Sequence, residues 1–223
     1  AGVTSAGGGG IRCGDGNPRI LNNYITDNRG RYGAGIVLNY TAAIIRNNVV
    51  FHNSGGEDYG GAGIWAYANG AGPKLIENNT ITENTSSLDG GGVYIWSTSA
   101  IIHNTIIWGN IAPSQSQIGK SSASVTVTYS DIQGGSAGTG NTAVDPQFTD
   151  TSHYLAPSSP CIDAGDTNAI YDDPADSLNP VNARRPARGG LRNDMGAFGG
   201  PGAGATVYND LHHNDPLPPS PFS

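Results

Sequence analysis

Gly61-Ala62-Gly63-Ile64-Trp65-Ala66-Tyr67, followed by Ile76-Glu77-Asn78-Asn79 and closed by Asn84, is one copy of a pattern that recurs along the first half of the chain. Its Gly-x-Gly-aliphatic opening is repeated at Gly8-Gly9-Gly10-Ile11, Gly33-Ala34-Gly35-Ile36 and Gly90-Gly91-Gly92-Val93, so the aliphatic residues stand 25, 28 and 29 positions apart. Its second unit has partners in Ile20-Leu21-Asn22-Asn23, Ile45-Arg46-Asn47-Asn48 and Ile102-His103-Asn104-Thr105, closed in turn by Asn28, Asn53 and Asn110. Short β-branched runs separated by glycine or asparagine turns, without a 3.6-residue period, read as strands. Recurrence at a fixed interval of this length marks a repeat architecture.

One such unit cannot bury its apolar face alone, but stacked units share a core and pair their backbones. The sequence therefore predicts an all-β chain, a parallel β-helix wound right-handed, as parallel crossovers favour. Each coil should advance by about one strand spacing, ~4.8 Å. Ile11, Ile36, Ile64 and Val93 are expected to stack inward on successive coils, and Asn22, Asn47, Asn78 and Asn104 to form a hydrogen-bonded amide ladder. Coils are expected over residues 1–165 and an irregular C-terminal cap over 166–209. A Pro-rich tail over 210–223, with Asp215-Pro216-Leu217-Pro218-Pro219-Ser220-Pro221, reads as a stiff interdomain spacer.

Composition narrows the partners. A chain of 223 residues suits one domain, and 34 glycines without a three-residue period point to repeated turns rather than collagen. The net charge is −7 and only Lys74 and Lys120 are lysines, so no basic stripe offers itself to nucleic acid or to an anionic membrane. No apolar stretch reaches the ~18 residues of a membrane span. The chain opens at Ala1 without a charged and apolar leader and close to a full repeat, which reads as an excised or processed module. Cys13 and Cys161, near opposite ends, read as small buried residues rather than a disulfide framework.

From Ser124 the period weakens. Val127-Thr128-Tyr129-Ser130-Asp131-Ile132-Gln133-Gly134-Gly135, Val144-Asp145-Pro146-Gln147-Phe148, Ser159-Pro160-Cys161-Ile162-Asp163-Ala164-Gly165 and Asp194-Met195-Gly196-Ala197-Phe198 follow one another. This series resembles the C-terminal end of bacterial right-handed β-helix proteins of the pectate-lyase-like superfamily, in particular those with a choice-of-anchor terminal region. Gly199 stands where that pattern carries an acidic residue. The resemblance implies a secreted or cell-surface bacterial protein, often one module of a larger polypeptide. Its relatives include enzymes acting on pectin and related polysaccharides and non-catalytic carbohydrate-binding modules, and fold alone does not choose between them.

Strand alternation supplies the candidate site. If Ile64 and Val93 point inward, then Trp65, Tyr67, Tyr94 and Trp96 point outward as a two-by-two block on adjacent coils, with Asn39 and Arg12 continuing the face. Cross-strand aromatic pairs stabilise a sheet by about 0.2–1 kcal/mol each. Four large rings on a solvent face also suit the C–H faces of sugars. Tyr59, Glu57, Asp58 and Asp89, placed just before Gly-x-Gly turns, are expected at the lip of this block. There they would hydrogen-bond sugar hydroxyls in a binding module, or act as a carboxylate pair in a hydrolase.

A lyase of this fold would carry aspartates with Lys or Arg on the exposed sheet, and a β-helical glycosidase paired aspartates with a His-Gly pair; neither pattern appears. His52, His103, His153, His212 and His213 lack metal spacing. Asp163, Asp166, Asp172, Asp173 and Asp176 are the residues that would hold a structural calcium; no other cofactor is expected. The sequence reading is thus a monomeric, non-catalytic module that binds a plant cell-wall polysaccharide, xylan foremost, beside a catalytic domain in the same polypeptide. The alternatives are a polysaccharide lyase or glycoside hydrolase of β-helix fold, and a structural or adhesive cell-surface domain.

Overall fold

A computed structural model describes residues 8–68 and 72–203 and the backbone of the strand Val207–Tyr208. In it the repeats form a parallel β-solenoid. The first sheet stacks Ile11–Gly14, Ile36–Asn39, Ile64–Tyr67, Val93–Trp96 and Ile118–Ser121. The second stacks Arg19–Leu21, Ile44–Arg46, Lys74–Glu77, Ser99–His103 and Ser124–Thr128. The third stacks Asn23–Thr26, Val49–Phe51, Thr80–Thr82, Ile106–Trp108 and Asp131–Ile132, and a short fourth stacks Arg29–Gly30, Ser54–Gly55 and Thr85–Ser86. Each strand pairs in parallel with its counterpart one coil away.

The core follows from alternation. Ile11, Ile36, Ile64, Val93 and Ile118 are direct partners across the first sheet, and the middle three are fully buried. Leu38, Ala66 and Ile95 form the next inward row; Ile45, Ile76 and Ile102 come from the second sheet and Val50, Ile81 and Ile107 from the third. Parallel stacking puts like beside like, so β-branched residues that pack well on a pleated surface recur at each level.

The amide ladder is real but shifted by one residue from the expected row. Asn22, Asn47, Asn78 and Asn104 occupy the left-handed region, with φ of 56°, 55°, 49° and 49°, and turn the chain between the second and third sheets. Asn tolerates that conformation better than most side-chain-bearing residues. The residue after each one faces the interior instead: Asn48 Nδ2 donates to Asn79 Oδ1 at 3.0 Å, and Thr105 and Ser130 continue the row. A second ladder runs through the closing asparagines, with Nδ2–Oδ1 bonds of 2.9 Å from Asn28 to Asn53, Asn53 to Asn84 and Asn84 to Asn110.

The last strand of the stacked sheets ends at Ile132, one coil after the last closing asparagine, Asn110. The following segment first pairs along the last coil, with Tyr129 N donating to Thr139 O and Thr142 bridging Asp131 in parallel, and from Asp166 onward it runs as a strap along the side. Asp166 N donates to Asn104 Oδ1, Asn78 Nδ2 to Asp194 O, and Asn47 Nδ2 to Ala197 O and Gly199 O. Val207–Tyr208 then pairs in parallel with Asn23 and Tyr24. The corner asparagines thus face the strap, which reads them in reverse coil order. The tail over 210–223, with His212 and His213, lies outside the described residues.

Two buried acids fasten the strap. Asp173 accepts from the backbone N–H groups of Gly200 and Asp194, and Asp194 from those of Asp163 and Arg188. Burial and then the charge of Asp194 raise Asp173 to about 8, and burial raises Asp194 to about 7. Both folded values exceed the ordinary carboxylate range, so the folded chain holds more protons than the unfolded one between about pH 4 and 8. Their contribution is complete at the acid end of that window and is lost as pH rises through it. The melting temperature is expected to fall from pH 5 to pH 8, and Asp173→Asn, less stable throughout, should show a flatter slope. A wild-type melting temperature that rises over that interval would contradict the assignment.

Candidate functional site

The aromatic block is in register. Trp65 pairs with Tyr94 and Tyr67 with Trp96 across the first sheet, while Val37 and Asn39 precede them and Gly119 and Ser121 follow. Alternation sends Ile64, Ala66, Val93 and Ile95 into the core, so the four rings stand on the outer face.

The rings are not equally accessible. Trp65 is only 4% exposed, because loop residues Tyr32 and Tyr59 close over it with centroid distances of 4.7 and 6.4 Å. Tyr67 stacks on it at 5.6 Å and Trp96 meets it edge-on at 6.3 Å. Trp65 is thus the foundation of the cluster rather than a contact ring, a correction to its expected role. Tyr67, Tyr94 and Trp96 are half-buried, and Tyr59 and Tyr40 are 48% and 52% exposed. Tyr40–Tyr67–Trp96–Tyr59 forms a continuous chain of rings with centroid spacings of 5.7, 5.0 and 5.4 Å. Tyr40 was not legible as a site residue: it is a corner residue with φ of 51°, one position past the strand, and no alternation rule reaches it.

The block stops at the fifth coil, where Gly119 and Ser121 replace aromatic residues. A Cβ on Gly119 would lie 2.5 Å from Tyr94 Cδ2, so the Tyr94 ring rests on that glycine. Beside Trp96 this leaves a cavity of about 300 Å³ lined by Asp58, Tyr59, Asp89, Tyr94, Trp96 and Ser121. Asp58 is tied to Arg31 at 2.6 Å. Asp89 accepts from Ser114 Oγ and, at 3.1 Å, from Gln115 Nε2, both on the loop before the fifth coil.

Other expected site residues are placed elsewhere. Glu57 is exposed, lies 3.9 Å from Arg29 and does not line the cavity. Arg12 is exposed but separated from Trp65 by the buried Val37. Asn39 does flank Tyr67. The acidic C-terminal residues are engaged within the fold: Asp163 accepts from Gly190 N, Asp166 Oδ2 lies 3.0 Å from His103 Nε2, Asp173 holds the strap beside Asp194, and Asp176 caps its own turn through Leu178 N. Among the described residues no group of three or more His, Cys, Asp or Glu side chains is arranged to hold a metal ion.

Lys74 is a further feature that alternation missed. It is fully buried, and its ammonium reaches Ala68 O and, at 2.6 Å, Thr98 Oγ1, in the corners that follow Tyr67 and Trp96. Burial lowers its pKa to about 8.

Fold and site together define a parallel β-solenoid with one aromatic outer face ending in an acidic cavity. Compared with known families, curated proteins and solved structures, the chain matches none of them.

Proposed function

We propose that this chain is a non-catalytic carbohydrate-binding module for a plant cell-wall polysaccharide of the xylan type. The observation that carries this reading is the line of accessible rings, Tyr40, Tyr67, Trp96 and Tyr59, supported from below by buried Trp65. A cluster needed only for packing would not require rings one coil apart with solvent access. Flat rings bordered by hydroxyls, an amide and carboxylates match a pyranose, apolar on its C–H faces and polar at its rim. In this reading the module acts as a monomer without a cofactor. The resemblance of its C-terminal motifs to pectate-lyase-like, choice-of-anchor proteins supports a secreted or cell-surface bacterial parent carrying a catalytic domain.

A second reading, hydrolysis by a carboxylate pair, is favoured by one observation: Asp58 and Asp89 line the same cavity. Against it, Asp58 is neutralised by Arg31, and each oxygen of Asp89 already accepts a hydrogen bond. Affinity electrophoresis against a panel of polysaccharides, with reducing-end and unsaturated-product assays on the same mixtures, separates the readings. The binding-module proposal expects retardation by xylan without product. Product formation abolished by Asp89→Asn would establish the enzyme instead, and no retardation by any polysaccharide would remove both.

A further inference from the structure

We infer that the cavity beside Trp96 accepts an uncharged sugar unit, a chain end or a branch, and that Asp89 rejects uronates there. This rests on the aromatic face being a sugar platform, and deepens that reading by naming which glycans the face selects.

The rings of Tyr40, Tyr67 and Trp96 belong to the second, third and fourth coils, so the track they form runs along the solenoid axis. At the fifth coil the outer row continues with Ser121, and no ring succeeds Trp96. A polysaccharide lying on the track therefore meets the cavity at that end. At about 300 Å³ the cavity is at the small end of ligand pockets, which suits one terminal or branching unit rather than a continuing chain.

The charge in the cavity decides which unit. Asp58 is paired with Arg31, whereas Asp89 is held only by the neutral donors Ser114 and Gln115 and has no cation within 4 Å among the described residues. The cation of the fifth-coil strand, Lys120, is exposed, stands in register with Ile95 on the opposite side of the strand from Ser121, and borders a different cavity with Val125 and Val127. Ligand hydroxyls can donate to the remaining lone pairs of Asp58 and Asp89 in charge-assisted hydrogen bonds. A uronate brings a second anion to a site carrying one uncompensated negative charge, and such juxtaposition acts mainly on selectivity.

The test compares a neutral arabinose-branched xylan oligosaccharide with a glucuronate-branched one of equal length, by calorimetric titration at low and high salt. The wild-type chain is expected to bind the neutral ligand about tenfold more tightly at low salt. The gap should narrow with added salt, which screens exposed charge, and in Asp89→Asn. Equal affinity for the two ligands at low salt, or a preference unmoved by both salt and Asp89→Asn, would overturn the inference. The salt series on the wild-type chain keeps the test decisive if Asp89→Asn fails to fold. Trp96→Ala separates the two levels: if it abolishes binding while selectivity is absent, the platform stands and the cavity inference falls. If Trp96→Ala binds as well as the parent, or if neither oligosaccharide binds, both fall.

Discussion

Trp65→Ala is expected to cost about 3–5 kcal/mol of folding stability, whereas Trp96→Ala, one coil later on the same face, is expected to leave a folded chain that binds its ligand up to about thirtyfold more weakly. The difference follows from what lies above each ring. Trp65 is closed over by Tyr32, Tyr59 and Tyr67, so its removal leaves a void beneath three aromatic side chains. Trp65→Phe should recover most of that stability, because the buried indole N–H it forfeits makes no hydrogen bond. Trp96 keeps solvent access between Tyr59 and Tyr67, and its ring edges the cavity. Deleting it removes ring burial and stacking together, on the order of 1–2 kcal/mol, which is up to about thirtyfold in affinity. Thermal melts read beside affinity electrophoresis separate the two; a Trp65→Ala chain as stable as wild type, or a Trp96→Ala chain with unaltered affinity, would show that the roles are misassigned.

The second large effect is expected at Asn84. Its Oδ1 accepts from Asn53 N and Nδ2 at 3.0 and 2.9 Å, and its Nδ2 faces three acceptors, Val50 O, Thr82 O and Asn110 Oδ1, at 2.9, 3.0 and 2.9 Å. Asn84→Ala removes hydrogen bonds to five buried partners at once, and each one left unsatisfied costs about 1–3 kcal/mol. With partial relaxation the loss should still reach about 3–5 kcal/mol, comparable to breaking a buried polar network. Asn79→Thr is the milder control, because Thr105 and Ser130 already continue that inner row with hydroxyls. Urea unfolding measures both, and an Asn84→Ala chain within 1 kcal/mol of wild type would contradict the ladder as a principal support.

Local periodicity carried most of the fold. The two-residue alternation around Ile64 and Val93 placed the core row and the outward rings, since parallel coils repeat the same geometry at every level. It did not tell which asparagine of each pair faces inward, because that depends on the left-handed corner at Asn22, Asn47, Asn78 and Asn104. Nor did it reveal that Trp65 is covered, since coverage comes from loop residues Tyr32 and Tyr59 outside the strand pattern. The strap was illegible for a different reason. It occurs once, its contacts join residues such as Asn47 and Gly199 that are distant in sequence, and no periodicity marks them. Glu57 and Asp58 are adjacent in the chain, yet only Asp58 reaches the cavity.

Tryptophan emission is the most direct probe of the aromatic face as a sugar platform. The chain has three tryptophans; Trp65 is buried, Trp108 packs against the cluster of Ile106, Leu155 and Cys161 on the third sheet, and Trp96 has solvent access beside the cavity. Titration with soluble xylan oligosaccharide is expected to give a saturable blue shift or quench that disappears in Trp96→Phe, while Trp108→Phe retains it. Binding detected by electrophoresis with no change in emission, or a change that survives Trp96→Phe, would place the glycan elsewhere and contradict the aromatic platform.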